Sequence, residues 1–188
     1  SMEGPDMAIK RVSFDEIIEN THTIPSLPEV VTQVVRLVND PRSAADQVSD
    51  IMVKDAGMAA KILRVVNSVY YGLSQPVHDL QQAIAILGFK TVRSIALSIS
   101  VINMFQQKDS AFNMKAFWTH SAVSATICRL LANKVNLPDP ELGFVIGLLK
   151  DVGMLILVEN CPEQTRAIIA VAREYKLELP QACRKVID

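Results

Sequence analysis

The sequence predicts an all-α fold, because apolar residues recur at helical spacing and capping signals precede the apolar runs. Val30, Val34 and Val38 stand four residues apart, and no segment alternates apolar and polar residues as a half-buried strand would. The many valines and isoleucines favour strands by propensity alone, but the period of the pattern overrides that preference. Helices are therefore expected almost throughout the chain.

Capping signals divide the first half of the chain into successive helices. Ser13-Phe14-Asp15-Glu16 and Ser26-Leu27-Pro28-Glu29 have the form of capping boxes, in which side chains bond to the free backbone N–H groups of a first turn. Gly72 is predicted to end the fourth helix in the left-handed conformation. Further helix starts are predicted at Ser43 to Asp46, at Asp55, at Asp79 and at about Thr91, the last helix running to Met104.

The second half is predicted to hold a long helix, a central helix and two closing helices. The long helix, from about Met114 to Lys134, carries Phe117, Trp118, Ala122, Ile127, Leu130 and Leu131. Pro140 to Val158 is apolar almost all round, which is typical of a helix buried in the middle of a domain. The closing helices are predicted from Glu163 to Lys176 and from Pro180 to the end.

Composition and charge limit the kinds of protein that this chain can be. With 188 residues, 49% apolar and 21% charged, the chain is globular and can bury a core. A net charge of −1 without a basic block disfavours a nucleic-acid partner. The longest uncharged run, Ser94 to Gln107, is shorter than the roughly 20 residues of a spanning helix, so no membrane partner is expected. Three scattered cysteines and a start without a signal peptide predict reduced thiols in a cytoplasmic protein.

Short segments spread over residues 24 to 153 resemble, by their order and spacing, the HDOD family, the output-domain relatives of the HD phosphohydrolases. In the first half they are Ile24 to Pro28, Lys54-Asp55, Lys61 to Ser68, Tyr71-Gly72, Gln82 to Ile84 and Leu87-Gly88. In the second half they are Phe117 to Ser121 and Gly147 to Gly153. The resemblance implies an all-α fold without known enzymatic activity, used in bacterial signalling as a regulatory or protein-interaction module.

Two departures from the family pattern bear on its chemistry. The family often has a histidine directly before the aspartate, and Lys150 stands there before Asp151. The chain also ends at Asp188, around where the family usually continues with a histidine-bearing segment and a Trp-x-Leu-Pro stretch. An imidazole offers a metal a lone pair, whereas an ammonium has none and repels the cation. The resemblance and this substitution together predict a degenerate HD motif with no catalytic residue, no metal and no cofactor.

The domain layout follows the family resemblance and the polar break at residues 106–110. Residues 1–12 are interpreted as a tag remnant and N-terminal tail, and 13–188 as one HDOD-like domain in two lobes. The N-terminal lobe is predicted over about 13–106, and a truncated HD-like lobe over about 110–188.

The three histidines of the chain are too few to build an HD-type metal centre. His22 and His78 stand in predicted loops, and His120 is the one on a helix that is expected to face the core. His120 and Asp151 give two potential ligands, and two ligands do not form a selective metal site. A residual metal-dependent phosphohydrolase of the HD type is the first alternative function.

His120 and Asp151 are instead predicted to form a buried polar contact between two helices. A carboxylate inside an apolar helix must find donors or take up a proton. The alternatives are that Asp151 turns to the surface, or pairs with Lys150 or with the Trp118 indole.

Asn67, Ser68, Tyr71 and Gly72 belong to the other family signature and are interpreted as structural. Polar side chains near a helix end can bond to free carbonyls or to a neighbouring loop. One of the adjacent tyrosines is expected to bury its ring. A binding role for Asn67 is the alternative.

The segment from Gln82 to Arg93 has the look of a helix-turn-helix, so a DNA-binding regulator is the second alternative function. Its register is poor, because Ile84 occupies a position where a small residue is expected. The helix that follows is too apolar to lie in a groove, and of its cations Lys90 and Arg93 alone could reach phosphates.

The function predicted from the sequence is a non-catalytic regulatory module of bacterial signal transduction that binds a protein partner. Binding is expected in an apolar or mixed groove between the lobes, or on an exposed helical face. The sequence does not indicate which protein is the partner, whether a nucleotide or other small ligand binds, or what the oligomeric state is.

Overall fold

The computed structural model describes residues 12–21, 26–105 and 112–187, and it confirms the predicted all-α class. His22 and Ile24-Pro25 lie outside the described residues. The helices are α1 (Phe14–Asn20), α2 (Glu29–Asn39), α3 (Ala45–Met52), α4 (Ala56–Val66), a 3-10 turn (Val69–Tyr71), α5 (Leu80–Leu87), α6 (Phe89–Met104), α7 (Met114–Lys134), α8 (Pro140–Leu149), α9 (Val152–Asn160), α10 (Pro162–Glu174) and α11 (Leu179–Val186).

The described chain divides into two compact units. The core unit comprises residues 26–105 and 115–150, and the terminal unit comprises 12–21, 112–114 and 151–187. Residues 115–150 thus group with the helices before them, whereas the sequence-based division put them with the helices after them. The physical reason is that α8 packs on α6, where the Ser94 hydroxyl donates to the Glu141 carbonyl at 3.2 Å.

An apolar cluster contributed by α2 to α6 holds the core unit together. Its members recur at spacings of three and four, so each helix turns one face inward, as the sequence pattern predicts. The residues exposed by 2% or less are Val31, Val34, Val48, Met52, Met58, Ile62, Val66, Ala83, Ile84, Val92 and Ala96. Burying a side chain of the larger kinds among them stabilises the fold by about 1.5–3 kcal/mol.

The terminal unit has two small apolar clusters of its own. In one, α10 and α11 pack through Ile168, Val171, Ala182 and Val186. In the other, α1 lies against α9 around Ile17 and Cys161. Val12 joins this second cluster, and its N–H donates to the Val186 carbonyl at 3.2 Å. Val12 is therefore a packed residue, although it falls in the segment interpreted as a tail.

Three predicted helix caps are confirmed. The Ser13 hydroxyl accepts from the Glu16 N–H while the Glu16 carboxylate accepts from the Ser13 N–H, both at 3.1 Å. The carboxylate of Asp55 accepts from the N–H of Met58 at 3.0 Å. Asp79 caps α5 in the same way, with its carboxylate 2.7 Å from the Gln82 N–H. Each cap of this kind contributes about 1 kcal/mol.

The predicted cap at Ser26 is wrong, because α2 begins later in the chain than this serine suggests. The N-cap of α2 is Pro28, which has no side-chain acceptor, so Ser26 caps nothing. The start predicted for α3 between Ser43 and Asp46 agrees with the structure. Its N-cap is Ala44, whose N–H donates to the Gln47 side chain at 3.1 Å.

The prediction of one buried helix from Pro140 to Val158 is wrong, because α8 and α9 are separate helices. Asp151 leaves the helical region, with φ −106° and ψ 10°, and its carbonyl accepts from the Met154 N–H to begin α9. An aspartate competes for backbone groups and favours helix ends over helix interiors. Within α8, Leu142 and Ile146 are more than half exposed, so this helix buries one side and not its whole circumference.

α7 turns small residues inward and apolar ones outward. Its buried residues are Ser121, Ala125 and Ala132, whereas Val123, Ile127, Leu130 and Leu131 are each at least 50% exposed. The apolar residues noted in the sequence therefore do not all belong to the core. Because these inner residues are small, the backbone of a neighbouring helix can approach closely. The neighbouring helix here is α8.

Gly147 on α8 lies where α7 and α8 approach most closely. A Cβ at this position would lie 2.7 Å from the Ala125 Cα and 2.9 Å from the Ser124 carbonyl oxygen. Both obstacles are backbone atoms, which cannot turn aside as the end of a side chain can. This glycine of the family motif is thus explained by packing.

Helix length and hydropathy show whether a described helix could span a membrane. Within the described ranges, no single helix is both long and apolar enough to cross a bilayer. α5 and α6 reach the required length and composition only together, as a pair bent by 110°.

Replacing Gly147 by alanine is expected to destabilise the protein by about 1–3 kcal/mol, because the helices must move apart to admit the methyl group. Gly153→Ala is the control, since a Cβ there has no atom within 4 Å. That change should be neutral or stabilise by up to about 1 kcal/mol, as alanine favours helix. Urea unfolding followed by circular dichroism measures both, and equal midpoints for the two variants would contradict the packing account.

Candidate functional site

His120 and Lys150 lie side by side on the surface of the core unit. The Lys150 ammonium nitrogen, just after α8, is 3.3 Å from Nε2 of His120 on α7. Both residues are exposed. The prediction that His120 faces the core is wrong, because α7 directs Ser121 and Ala125 inward instead.

This contact occupies the imidazole lone pair that a metal would need. At this distance the Lys150 ammonium can donate to Nε2, because an ammonium offers no acceptor. A cation at Nε2 would compete for the same lone pair and meet the ammonium charge. No group of three or more His, Cys, Asp or Glu side chains that could hold a metal ion occurs in the described parts of the chain.

Asp151 and Trp118 belong to different units of the chain. Asp151 is half-buried at the start of α9 in the terminal unit, whereas His120 belongs to the core unit. The contact expected between His120 and Asp151 stays a prediction. The half-buried ring of Trp118 meets that of Phe117 edge-on, with centroids 5.1 Å apart.

Asn67 ties the end of α4 to the loop that follows it. Its amide oxygen accepts from the Val77 N–H at 2.7 Å, and its amide nitrogen donates to the Val77 carbonyl at 2.7 Å. The same nitrogen donates to the Leu63 carbonyl at 2.9 Å. One side chain thus satisfies three backbone groups, which supports the structural interpretation of Asn67.

Ser68, Tyr71 and Gly72 shape the turn after α4. The Ser68 carbonyl accepts from the Tyr71 N–H at 3.1 Å, and the 3-10 turn ends at Gly72 with φ +57°. The left-handed conformation of Gly72 is confirmed, although the residue closes this turn and not α4. Tyr71 is half-buried and Tyr70 is exposed, with the two rings edge-on at 5.1 Å. Burial raises the pKa of the Tyr71 phenol, and the adjacent Tyr70 raises it further.

Beside this turn, the core unit contains a cavity of about 500 Å³. Its walls come from α4, the 3-10 turn, α6, α7 and α8, all parts of the core unit. Its lining includes the cations Lys61, Arg64 and Arg129, the apolar wall of Ile95, Ile99 and Ile102, and Tyr71, Glu141 and Phe144.

The cations of the cavity outnumber its carboxylates. Glu141 is the one acid among the lining residues, and it pairs with Arg129 at 3.4 Å. The Arg129 guanidinium also lies 5.3 Å from the centre of the Phe144 ring. Lys61 and Arg64 add two positive charges on the exposed side of α4. The cavity is therefore apolar inside and positively charged at its rim.

This cavity was not predicted from the sequence. Its cations come from α4 and α7, which are far apart in the chain, and its apolar wall comes from α6. A partial signal was present in the family segment Lys61-Ile62-Leu63-Arg64, where two cations three apart share one helix face.

The cations noted for DNA binding make contacts within the core unit. Lys90 donates to the Pro138 carbonyl at 2.9 Å, and Arg93 is hydrogen-bonded to Asp139. Partial burial alone would raise the pKa of the Asp139 carboxyl, but the Arg93 hydrogen bond and the nearby positive charges lower it below its ordinary value. α6 itself buries Val92, Ala96 and Val101, so it serves as a core helix.

Comparison with known proteins identifies the family. The family model described as the HDOD domain matches residues 24–188. The chain belongs to the HDOD domain family. Its all-α fold is therefore the fold of an HDOD domain.

Solved HDOD structures share the fold. A crystal structure of an HDOD domain protein of unknown function from Geobacter sulfurreducens superposes with a TM-score of 0.81 at 24% identity, covering 92% of this chain and 58% of that one. A candidate phosphohydrolase from Shewanella amazonensis superposes with a TM-score of 0.72 at 25% identity, covering 90% of this chain and 60% of that one.

The curated relatives are much longer than this chain. CdgJ of Vibrio cholerae, a cyclic di-GMP phosphodiesterase, is 26% identical over 168 residues, which are 89% of this chain and 37% of that protein. Across the curated relatives that match, the HDOD chain spans between 26% and 37% of their length.

Replacing Asn67 by aspartate is expected to destabilise the protein by about 1–3 kcal/mol, because a carboxylate cannot donate to the Val77 and Leu63 carbonyls. Gln75→Ala is the control, since Gln75 is exposed in the same loop. Chemical denaturation measures both variants. A loss for Asn67→Asp no larger than that for Gln75→Ala would contradict a structural role.

Stability is expected to fall in acid partly through Asp139. Because its folded-state pKa lies below the ordinary value of 3.8, the Arg93 pair stabilises the fold above that value and is lost as the pH falls through the folded-state pKa. In Asp139→Asn, the free energy of unfolding should therefore fall less steeply with decreasing pH between about pH 5 and about pH 2 than it does in the wild type. The exposed Asp50→Asn is the control, and a wild-type slope in Asp139→Asn would contradict this account.

Proposed function

We propose that this HDOD domain is a non-catalytic regulatory module of signal transduction that acts by binding a protein partner. The observation that carries the proposal is the exposed apolar face of α7, defined by Val123, Ile127, Leu130 and Leu131, each at least 50% exposed. An apolar surface of this kind on a helix is typical of a site for another protein.

The contact between Lys150 and His120 supports the absence of catalysis. HD-type hydrolysis needs ligands that converge on a metal, which then activates water. Here the 3.3 Å contact with an ammonium occupies the imidazole nitrogen nearest the motif. A positive charge at that point disfavours a cation, so the arrangement fits a binding domain better than a hydrolase.

The size of the relatives supports a regulatory role. The matched region is 37% of CdgJ, a cyclic di-GMP phosphodiesterase. A domain that forms a minor part of a signalling enzyme fits the role of a module that modulates an activity carried elsewhere. Regulation of that kind requires a surface whose occupancy changes with the state of the partner.

The charge of α7 defines the kind of partner segment it fits. Between Met114 and Pro138 the chain has no acidic residue, whereas Lys115, Arg129 and Lys134 are basic. A shallow groove runs along this helix. It is lined by Lys115, Trp118, Thr119, Ala122, Val123, Thr126 and Ile127. The complementary occupant is an amphipathic helix with apolar anchors at a spacing of three or four and acidic flanks.

The test starts with photocrosslinking through Thr126, an exposed residue inside the groove. A benzophenone amino acid at this position, in the cells of origin, identifies the protein that touches the groove. The purified partner is then titrated with wild type, with Val123→Glu plus Ile127→Glu, and with Val53→Glu, an exposed apolar control outside the groove. The double variant should weaken binding by at least about tenfold, and the control should bind normally.

Equal affinity of the double variant and the control would overturn the role of α7. The hydrolase alternative is tested on the same protein by metal analysis and by turnover of nucleotides, cyclic dinucleotides among them. No stoichiometric metal and no turnover are expected. A bound metal lost in both His120→Ala and Asp151→Asn, together with turnover, would replace this proposal by the enzymatic one.

A further inference from the structure

We infer that the cavity of the core unit binds a small aromatic anion of the nucleotide class. This site is distinct from the exposed face of α7, and it does not depend on the identity of any protein partner. Three properties of the lining residues carry the inference, namely the size of the space, the apolar wall and the excess of positive charge.

The cavity has the dimensions of a small-molecule site. Its volume of about 500 Å³ falls within the range of about 300–1,000 Å³ typical of ligand pockets. It is bounded by helices and one short turn of the core unit. A site built on helices holds its lining residues in place better than one built on long loops.

The inner wall is suited to a flat apolar ring. Ile95, Ile99 and Ile102 recur at spacings of four and three, so they share the face of α6 that lines the cavity. Phe144 on α8 adds an aromatic ring to this lining, with the Arg129 guanidinium over one of its faces, 5.3 Å from the ring centre. Aromatic rings and aliphatic side chains of this kind accept a planar base by stacking and van der Waals contact.

The two serines of α6 that line the cavity are already hydrogen-bonded within the protein. The Ser98 hydroxyl donates to the Ser94 carbonyl at 2.6 Å, and the Ser94 hydroxyl donates to the Glu141 carbonyl at 3.2 Å. A ring can therefore contact this wall without leaving these hydroxyls unpaired. The wall behaves as an apolar surface despite its two serines.

The rim is suited to a phosphate. Arg129 is neutralised by Glu141 at 3.4 Å, so Lys61 and Arg64 supply the net positive charge. These two cations stand three residues apart on α4, which places them on one side of that helix. Ammonium and guanidinium groups form charge-assisted hydrogen bonds to phosphate oxygens, and these are roughly twice as strong as neutral ones.

Tyr71 adds a donor at the same place. A tyrosine hydroxyl keeps its proton at neutral pH, and desolvation raises the pKa of the Tyr71 phenol further, with the adjacent Tyr70 as a second cause. A protonated phenol can donate to a phosphate oxygen. The lining residues thus offer an apolar contact for a base and several donors for an anion.

The test is isothermal titration of the full chain with GMP, with guanosine and with inorganic phosphate as separate ligands. GMP should bind with a dissociation constant below about 1 mM, and each half of the molecule should bind at least about tenfold more weakly. Raising the salt concentration should weaken GMP binding, because charge at the rim contributes to it.

Variants then place the binding in the cavity. Lys61→Gln combined with Arg64→Gln removes the net positive charge from exposed positions, so the fold should persist, and GMP binding should weaken at least about tenfold. Ile102→Trp, at a position 37% exposed on the rim, should obstruct entry and abolish binding. Arg36→Gln is the matched control, since Arg36 is an exposed cation on α2 outside the lining residues.

Any of the following results would overturn the inference. One is no binding of GMP at concentrations up to about 10 mM. The second is guanosine binding as tightly as GMP, which would remove the anionic requirement. The third is an equal effect of Arg36→Gln and of the Lys61 and Arg64 double variant, or unchanged binding in Ile102→Trp. A failure of the α7 variants to affect a protein partner would leave these results intact, so the two proposals fail separately.

Discussion

The packing of α8 against α6 is the constraint on which the core unit depends. Ser94 bonds to the start of α8, and Arg93 pairs with Asp139 directly before it. These contacts join a helix of the apolar cluster to residues 115–150. They also set the spacing of the cavity, because α6 and α8 form two of its walls. Without them, α7 would lose its support, since it meets α8 at Gly147.

Much of the fold could be predicted from local sequence signals. The helical class follows from apolar spacing, and the caps at Ser13, Asp55 and Asp79 follow from side chains that reach their own first turn. Such contacts are decided within four residues. The wrong cap at Ser26 shows the limit of such signals, because the N-cap of α2 lies two residues later, at Pro28.

The site could be predicted only in part, because its geometry depends on contacts between distant segments. The role of Asn67 followed from its place near a helix end. By contrast, apolar periodicity did not reveal that α7 directs its small residues inward, since hydrophobicity alone does not state which face a neighbour covers. The break between α8 and α9 at Asp151 was not predicted either, because apolar residues continue on both sides of it and the helical pattern shows no interruption. The cavity joins four helices, and no local pattern reports such an assembly.

The interleaved order of the two units has a practical consequence for dissecting the molecule. The described chain passes from one unit to the other between residues 21 and 26, between 105 and 112, between 114 and 115, and between 150 and 151. Neither unit is a continuous stretch of polypeptide. A single cut by a protease at one junction would therefore give two fragments that each lack part of a unit. A stop codon at one junction would likewise give a product that lacks part of a unit. Functional mapping of this protein calls for point substitutions or circular permutants in place of simple deletions.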